Sequence, residues 1–392
     1  MAKIDDSVKK KVPELRFPGF TDDWEERKLG EVGKTKSGIG FPDAQQGGKQ
    51  GTPFYKVSDM NNPGNEVVMM NANNYASDSQ LKENKWNPIN PQNSGVVFAK
   101  VGAAIFLDRK RIVDTSFLID NNMMSYLFDS SWNLYFGKTL FEKLRLSRFA
   151  QVGALPSFNG SDVEDIKVMI PEESEQKMIG DMFEKLDDII ALHQRKLDLL
   201  KEQKKGYLQK MFPKNGAKVP ELRFAGFADD WEERKAKEMI KTHHFRSYLA
   251  EPNDVGNYEV IQQGDKPIAG YANGEPFEYF YDVTLFGDHT VSLFKPTKPF
   301  FIATDGVKII SADEFDGRYF YVTLERYKPA SQGYKRHFTI LKNEDIWFTT
   351  NKDEQVKIGT FFKQLDETIA LHQRKLDLLK EQKKGFLQKM FI

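Results

Sequence analysis

The 392-residue sequence predicts an α+β protein in which two globular mixed α/β domains are joined by two long helices. These helices are expected to pack as an antiparallel coiled coil with a pseudo-two-fold axis. Three observations lead to this prediction. Two segments occur twice in the same order, both copies of the longer segment have a heptad pattern, and the blocks between them contain short strand-like runs.

The duplicated segments define the organisation of the chain. The short repeat reads KVPELRFPGFTDDWEERK at 11–28 and recurs at 218–235 with 16 identities in 18 positions. The long repeat, ALHQRKLDLLKEQKKGYLQKMF at 191–212, recurs at 370–391 with one change, Tyr207 to Phe386. A period near 200 residues indicates duplicated domains rather than a solenoid, whose repeats are about 20–50 residues long. The blocks between the repeats do not visibly align, and the first is 28 residues longer.

The long repeats predict helices with an apolar seam. The seam residues recur at alternating spacings of four and three, which gives the 3.5-residue period of a coiled coil. The first helix is expected to begin near 171–174, to span about 38 residues and to measure roughly 57 Å at 1.5 Å per residue. The predicted seam residues are Leu186, Ile190, His193, Leu197, Leu200, Leu365, Ile369, His372, Leu376 and Leu379.

Polar residues interrupt this seam at equivalent places in the two copies. Lys204 and Lys383 follow the two seam histidines. No acidic residue stands at ligand spacing on the same face, so a polar layer that fixes helix register is favoured over a metal site. Parallel pairing of the helices, or pairing between two chains, stays open at this point.

The predicted domains follow these boundaries: a first globular domain at 1–170, a helical region at 171–213, a second globular domain at 214–350 and a C-terminal helical region at 351–392. A short helix is expected at 138–149. Strands are predicted at 53–57, 95–101, 105–107, 258–262, 290–294, 300–303, 319–324 and 337–341.

Composition excludes several function classes. Fifty-seven Lys and Arg residues balance 57 Asp and Glu residues, so nucleic-acid binding through bulk positive charge is excluded and has to use local patches. The absence of cysteine excludes disulfides and thiolate metal sites and fits a reducing compartment. The N-terminal segment lacks an apolar signal core, and no stretch is long enough to span a membrane, so we expect a cytoplasmic protein.

We find no catalytic signature in the sequence. Gly48-Lys49 lacks the upstream glycine of a phosphate-binding loop, and 38–40 lacks the third glycine of a dinucleotide motif. The segment 165–167 resembles half of a nuclease motif but has no second acidic anchor. A binding protein is therefore favoured, while an enzyme with an unrecognised site and a coiled-coil scaffold without a nucleic-acid role remain alternatives.

Local clusters of basic and amide side chains mark candidate DNA contacts. Basic residues suit phosphates, and Asn and Gln amides pair with adenine edges. The candidates are Lys100, Arg109, Lys110, Arg111, Asn121, Arg145, Arg148, Gln262, Gln263, Lys266, Lys335 and Arg336.

Over its whole length the chain resembles the specificity (S) subunit of type I restriction–modification systems. In the first half the resemblance rests on PELRFPGFTDDWEERKLGEV, SGVVFAKVGAAIF, GALPSFNGSDVEDIKVMIP and the helix that starts EQKMIGDMFEKL. In the second half it rests on VIQQGDKPIAGY and FGDHTVSLFKPTKPFFIATDGVKI. The second block lacks the LPSF-type turn and has residues 333–339 in its place.

The resemblance implies a non-catalytic adaptor for host defence. Each recognition domain would read one half of a bipartite site in double-stranded DNA, and the paired helices would set the gap. The chain itself would bind no cofactor or metal. It would recruit two methyltransferase (M) subunits, which use S-adenosylmethionine, and two motor-nuclease (R) subunits, which use ATP and Mg²⁺. Trp24, Trp231 and the outer helix faces would dock the M subunits.

Overall fold

The computed structural model describes residues 11–150, 156–214, 216–333 and 335–392. Residues 153–155 of the GALPSF turn and residue 334 of the 333–339 segment lie outside the described residues. The chain divides into two compact units. Unit 1 comprises Met1–Gln194 with Lys375–Ile392, and unit 2 comprises Arg195–Arg374. Each unit therefore contains parts of both long helices.

Unit 1 is built from short strands and helices that precede the first long helix. Its strands are β1 Glu25–Lys28, β2 Gly33–Ser37, β3 Thr52–Tyr55, β4 Tyr75–Ala76, β5 Gly95–Ala99, β6 Lys110–Val113, β7 Leu118–Ile119, β8 Met123–Phe128 and β9 Lys167–Ile170. Its helices are α1 Asp78–Glu83, α2 Leu134–Leu144, α3 Gly160–Glu164 and the start of α4 Glu173–Lys210.

Unit 2 follows the same plan. Its strands are β10 Glu232–Lys235, β11 Lys241–Thr242, β12 Tyr258–Ile261, β13 Ile268–Ala272, β14 Thr284–Gly287, β15 Leu293–Phe294, β16 Phe300–Ile302, β17 Val307–Ser311 and β18 Asp345–Phe348. Its helices are α5 Ala236–Met239, α6 Gly317–Tyr327, α7 His337–Leu341 and the start of α8 Lys352–Lys389.

The sheets of the two units have the same topology. Unit 1 has the orders β2-β8-β5-β6, β4-β3-β7 and β1-β9, and unit 2 has β11-β17-β14-β15, β13-β12-β16 and β10-β18. In each three-stranded sheet one pair is parallel, β3 with β7 and β12 with β16, while the other pair is antiparallel. The two blocks that could not be aligned by sequence therefore share one fold, and the predicted α+β class with two globular domains and two long helices is confirmed.

Three predicted strands are wrong because their residues are helical. Residues 105–107 lie in a 3-10 helix, 319–324 in α6 and 337–341 in α7. Aromatic and β-branched residues at 319–324 suggested a strand. The helix forms because Asp316 accepts hydrogen bonds from the first N–H groups and because Tyr319, Phe320 and Leu324 bury one helical face. The predicted helix at 138–149 is α2 followed by a 3-10 turn.

The long helices α4 and α8 each span 38 residues and run antiparallel within each unit. In unit 1 Lys383 contacts Asp187, and Lys380 contacts Gln194 further along α4. In unit 2 Lys204 contacts Asp366, while Tyr207, which follows it on α4, packs on Phe361, which precedes Asp366 on α8. Three residues of the predicted seam are almost fully buried, namely Leu197, Leu200 and Leu376. The other seam residues are half-buried, namely Leu186, Ile190, His193, Leu365, Ile369, His372 and Leu379.

The short repeat packs against the C-terminal end of a long helix in both units. In unit 1 the N–H of Leu15 donates to the carbonyl of Lys389 at 2.9 Å, and in unit 2 the N–H of Leu222 donates to that of Lys210 at 2.8 Å. The last residues of the chain therefore complete the core of unit 1, where Phe391 is only 3% exposed.

The two repeat tryptophans belong to these cores. Trp24 packs edge-on against Phe391 and is 2% exposed, and Trp231 packs in the same way on Phe212 and is 3% exposed. The prediction that Trp24 and Trp231 dock a partner is therefore wrong. Their role is to bury the end of a long helix against the short repeat.

A buried carboxylate fixes the start of each long helix to the short repeat. Arg16 donates two hydrogen bonds to Glu175 at 2.6 and 2.7 Å, and Arg223 does the same to Glu354 at 2.7 and 2.9 Å. Fork-to-fork pairs of this kind hold one geometry. The repeat segment thus clamps α4 and α8 in equivalent ways, although Trp24 also donates to Glu175 at 3.2 Å.

A glycine allows α2 and α6 to approach these helices. A Cβ on Gly180 would lie 2.1 Å from Asn133 Oδ1, and one on Gly359 would lie 2.8 Å from the backbone nitrogen of Tyr319. Both contacts are shorter than real Cβ contacts, so a larger residue would displace the helix that docks there.

Candidate nucleic-acid interface

The carboxyl ends of the parallel strands form one edge of unit 1. Tyr55 of β3 pairs with Ile119 of β7, and the N–H of Asp120 donates to the carbonyl of Tyr55 at 3.0 Å. The segment of residues 56–74, called loop A, leaves β3 at this edge, and the turn at 120–122 leaves β7 beside it. Ligand sites favour the carboxyl ends of parallel strands, so this edge is the candidate interface of unit 1.

The structure places two predicted residues together at this edge. Asn121 is exposed at the tip of the turn, which is closed by a hydrogen bond from the Asn122 N–H to Asp120 Oδ1 at 3.0 Å. The N–H of Lys100, a half-buried residue that follows β5, donates to the carbonyl of Asn122 at 2.8 Å. The backbone of Lys100 is therefore joined to the turn that carries Asn121.

Loop A is held from inside by polar residues that sequence reasoning missed. Asn65 is fully buried and uses both ends of its amide: Nδ2 donates to the carbonyls of Asp59 and Asn71, and Oδ1 accepts from the N–H groups of Met70 and Asn71. Asp59, also buried, accepts from the N–H groups of Lys56 and Asn73. Burial raises the pKa of Asp59, although these hydrogen bonds act in the opposite direction. The signal available in the sequence was the density of asparagines in this segment.

Two of the three basic residues at 109–111 do not present their charge to a ligand. Lys110 is 1% exposed and lies 2.6 Å from Asp108 Oδ1, and burial lowers its pKa. The guanidinium of Arg111 donates to the carbonyls of Asn65, Lys110 and Met60, so it supports loop A from beneath. Burial also lowers the pKa of Arg111. The prediction of both as DNA contacts is wrong, whereas Arg109 is half-buried and donates to Asn61 Oδ1 on loop A.

Arg145 and Arg148 lie in a different environment of unit 1. Both are exposed and line a cleft of about 350 Å³ together with Lys143 and Lys384. The acidic residue of this cleft, Glu142, is bound to Lys138 and Lys383 at 2.7 and 2.8 Å. The cleft therefore has more cationic than acidic side chains, although Lys384 also pairs with Glu381 at 3.6 Å, and it is suited to a phosphate group.

Unit 2 has an equivalent edge with a shorter loop. The N–H of Ala303, after β16, donates to the carbonyl of Ile261 at the end of β12 at 2.8 Å, as Asp120 does to Tyr55 in unit 1. Residues 262–267, called loop B, connect β12 to β13. Gln262 and Lys266 are exposed on loop B, and Gln262 Nε2 donates to the carbonyl of Lys266 at 2.9 Å.

Gln263 has a structural role in loop B. Its Oε1 accepts from the N–H of His289 at 3.0 Å, and its side chain fills the space beside Gly287 and Gly306. This hydrogen bond holds the Gln263 side chain within loop B, and its role as a base contact stays a prediction. His289 also contacts the carbonyl of Lys335 through Nδ1 at 3.3 Å.

Lys335 and Arg336 are therefore linked to loop B through His289. Both are exposed just before α7. The buried His337 holds this segment: its Nε2 accepts from the N–H of Gln332 at 2.9 Å, while its Nδ1 lies 3.1 Å from the carbonyl of Asp288. The structure thus brings together Gln262, Lys266, Lys335 and Arg336 as sequence candidates of unit 2.

Outside these edges, lysines of the long helices form ion networks, which are largely buried in unit 1 and half-buried in unit 2. In unit 1 Lys383 contacts Asp187 at 2.6 Å and Glu142 at 2.8 Å, and Lys138 binds the same two carboxylates. Burial alone would raise the pKa of Glu142, but the two lysines outweigh it and lower that pKa to about 2. In unit 2 Lys204 contacts Glu325 and Asp366, both at 2.7 Å. The polar positions of the seam thus bind α2 and α6 to the helix pair.

The described parts of the chain lack two classes of site. No group of three or more His, Asp or Glu side chains there is arranged to hold a metal ion. No helix in those parts is both long enough and apolar enough to cross a membrane.

Comparisons with known proteins agree with this arrangement. A model of the family described as type I restriction modification DNA specificity domain matches residues 21–202 and again residues 228–381. The type I restriction enzyme MjaVIII specificity subunit of Methanocaldococcus jannaschii is 26% identical over 139 residues, which are 35% of this chain and 32% of that protein. That match spans about a third of the relative's length.

A solved structure extends the likeness to the whole fold. The crystal structure of a type I restriction–modification system S subunit from M. genitalium is similar over 97% of this chain and 99% of that chain, with a TM-score of 0.68 and 14% sequence identity. At this identity the likeness shows the fold alone.

Proposed function

Because the chain belongs to the type I restriction–modification DNA specificity family, we propose that it is the sequence-reading adaptor of such a complex. Unit 1 and unit 2 each read one half of a bipartite site in double-stranded DNA. The observation that carries this proposal is the combination of one topology with two different loops, A and B, at the same strand edge. Two readers on one scaffold can then recognise two different sequences.

The proposed contacts divide into two chemical classes. Lys100, Arg109, Lys266, Lys335 and Arg336 supply cations, together with the cleft that contains Arg145 and Arg148. Asn121 and Gln262 supply amides, which can pair with adenine edges in the major groove. Phosphate contacts position the protein, whereas base contacts carry the sequence information.

Arg336 provides a direct test of the second reader. It is exposed, and no hydrogen bond or ion pair of its side chain is seen among the described residues. We expect Arg336→Ala to weaken DNA binding several-fold and to reduce methylation at sites that depend on the second half. Unchanged affinity together with unchanged methylation would remove Arg336 from the interface. Lys214→Ala, an exposed change on the segment after α4, is the control and should leave binding unaltered.

The paired helices are proposed to set the gap between the two half-sites. Two readers on one face of B-DNA should be separated by about one helical turn, near 34 Å, or by multiples of it. A helix has a fixed rise, so four residues inserted after Gln203 should change the gap length and leave both half-sites unaltered. Methylation mapping of the insertion variant checks this, and an unchanged gap would contradict the spacer role.

The partners are proposed to dock on duplicated surfaces. Leu192 and Leu199 of α4 are 62% and 51% exposed, and their repeat equivalents Leu371 and Leu378 are 57% and 59% exposed. Two identical docking elements suit two copies of one partner. We propose that two M subunits, which use S-adenosylmethionine, bind these outer helix faces, and that two R subunits supply the ATP- and Mg²⁺-dependent steps. The chain itself binds no cofactor in this proposal.

The proposal as a whole is tested by mapping methylated adenines in DNA exposed to the chain assembled with its M subunits. We expect methylation at one bipartite sequence, and none from the purified chain alone. Methylation or cleavage by the chain alone would favour an enzyme. Binding to duplex DNA without sequence preference or salt dependence would favour a scaffold.

A further inference from the structure

Loop A carries its unused hydrogen-bonding groups on the outside. Asn62 Nδ2 donates to Asn71 Oδ1 at 3.0 Å and to Asn73 Oδ1 at 3.1 Å, so the asparagine side chains hold one another in place. Within the described residues, the Nδ2 groups of Asn61 and Asn73 have no hydrogen-bond partner, and both residues are exposed. Met70 is 70% exposed between them in sequence. The loop therefore presents free amide donors and one apolar side chain in a fixed arrangement.

This arrangement is suited to base edges. Amide donors pair with base acceptors in the grooves, and an apolar side chain can contact the methyl group of thymine. The internal hydrogen bonds of Asn65 and Asp59 fix the loop before binding, so little ordering is needed on association.

A protein partner fits the loop less well. The centres of protein interfaces are enriched in aromatic residues, Arg and Met, and of these types loop A exposes only Met70. A surface for two copies of one partner would also be duplicated, whereas loop A has 19 residues and loop B has six. A difference of this kind is expected where two readers recognise two sequences.

We infer that loop A is the base-reading element of unit 1, in which the amide donor of Asn73 and the side chain of Met70 determine part of the first half-site. This inference rests on the proposed function and deepens it. Neither Asn73 nor Met70 belongs to the basic and amide clusters that the sequence alone predicted as DNA contacts.

The experiment compares three variants of the full chain assembled with its M subunits. Asn73→Asp keeps the oxygen that accepts from Asn62 and removes the free donor. Met70→Ala removes an exposed side chain without loss of a hydrogen bond. The matched control is Asn257→Asp, an exposed residue just before the amino end of β12 and thus away from both loops. Each complex methylates a plasmid library in which both half-sites are randomised, and the methylated sequences are read.

We expect Asn73→Asp and Met70→Ala to change the base preference at one or two positions of one half-site by about ten-fold to a hundred-fold. The other half-site and the gap should stay as in the wild type, and Asn257→Asp should change neither. An unchanged preference in both loop variants would overturn the inference, as would an equal loss of methylation on all sequences. If the wild-type complex methylates no bipartite sequence at all, the proposed function fails instead.

Discussion

In unit 1 nineteen residues connect β3 to β4, whereas in unit 2 six residues connect β12 to β13 at the same place in the fold. On the side of the long helices the two units match closely. Arg16–Glu175 corresponds to Arg223–Glu354. The Lys383 network with Glu142 and Asp187 corresponds to the Lys204 network with Glu325 and Asp366.

This contrast separates two requirements within one chain. Side chains that hold the helix pair are kept alike because they serve the same geometry twice. Loops at the strand ends differ because they are free of that constraint. The difference of thirteen residues between loops A and B supplies nearly half of the 28 extra residues of the first block. We therefore assign assembly to the helix side and sequence reading to the loop side.

On the helix side, which the two units share, the largest loss of stability is expected from replacing the buried carboxylates. Glu175→Ala leaves Arg16 and the Nε1–H of Trp24 without their partner and should lower the free energy of unfolding by about 3–5 kcal/mol. The loss for Glu354→Ala should be smaller than that for Glu175→Ala by about 1 kcal/mol, because Trp231 makes no hydrogen bond to Glu354. Hydrogen exchange of peptides at 11–31 and 218–238 measures each unit separately. Equal costs in the two units would contradict the assignment of the tryptophan bond.

The next effect concerns the glycines where α2 and α6 dock. Gly180→Ala and Gly359→Ala should destabilise their units by about 1–3 kcal/mol, because the new Cβ meets Asn133 or the backbone of Tyr319. Gly359→Ala should be the more severe because its Cβ meets the backbone nitrogen of Tyr319, which cannot turn away as the side chain of Asn133 can. The chain offers its own control: Gly206 and Gly385 have open space around them, so alanine there should stabilise by up to about 1 kcal/mol. If Gly180→Ala raised the free energy of unfolding measured by chemical denaturation, α2 would not be packed tightly on α4.

A pH-dependent effect should distinguish unit 1. The pKa of Glu142 is about 2 in the folded chain against an ordinary 4.5, so its contribution to stability is present above pH 4.5 and is lost as the pH falls towards 2. Glu142→Gln should therefore be less stable at neutral pH but should lose less stability across that window. Denaturant unfolding at steps between pH 5 and 2 measures the slope, and parallel slopes for variant and wild type would contradict the network's role.

The sequence predicted the architecture because its signals were local and repeated. The heptad spacing predicted both long helices, and runs such as 95–101 and 300–303 contain strands. It failed at α6 because aromatic and β-branched residues favour strands until a cap and a buried helical face override them. The predicted strand at 290–294 shrinks to Leu293–Phe294.

Prediction of the site was less complete for a physical reason. Charge alone does not tell whether a cation meets solvent or a carbonyl group. Lys110 is buried and Arg111 donates to backbone carbonyls, whereas Arg109 donates to a side chain of loop A. Trp24 and Trp231 were predicted to dock a partner because they are duplicated. Each instead packs in the core of its unit against the end of a long helix. The asparagines of loop A were not predicted as site residues because their arrangement depends on the buried Asn65, which fixes the loop.

The central claim, that two units with one fold read two different sequences, is tested most directly by sequencing the positions methylated by the wild-type chain assembled with its M subunits. The account predicts an asymmetric bipartite site, in which two unlike half-sites are separated by a gap of constant length. Two identical half-sites, or one contiguous sequence without a gap, would contradict it.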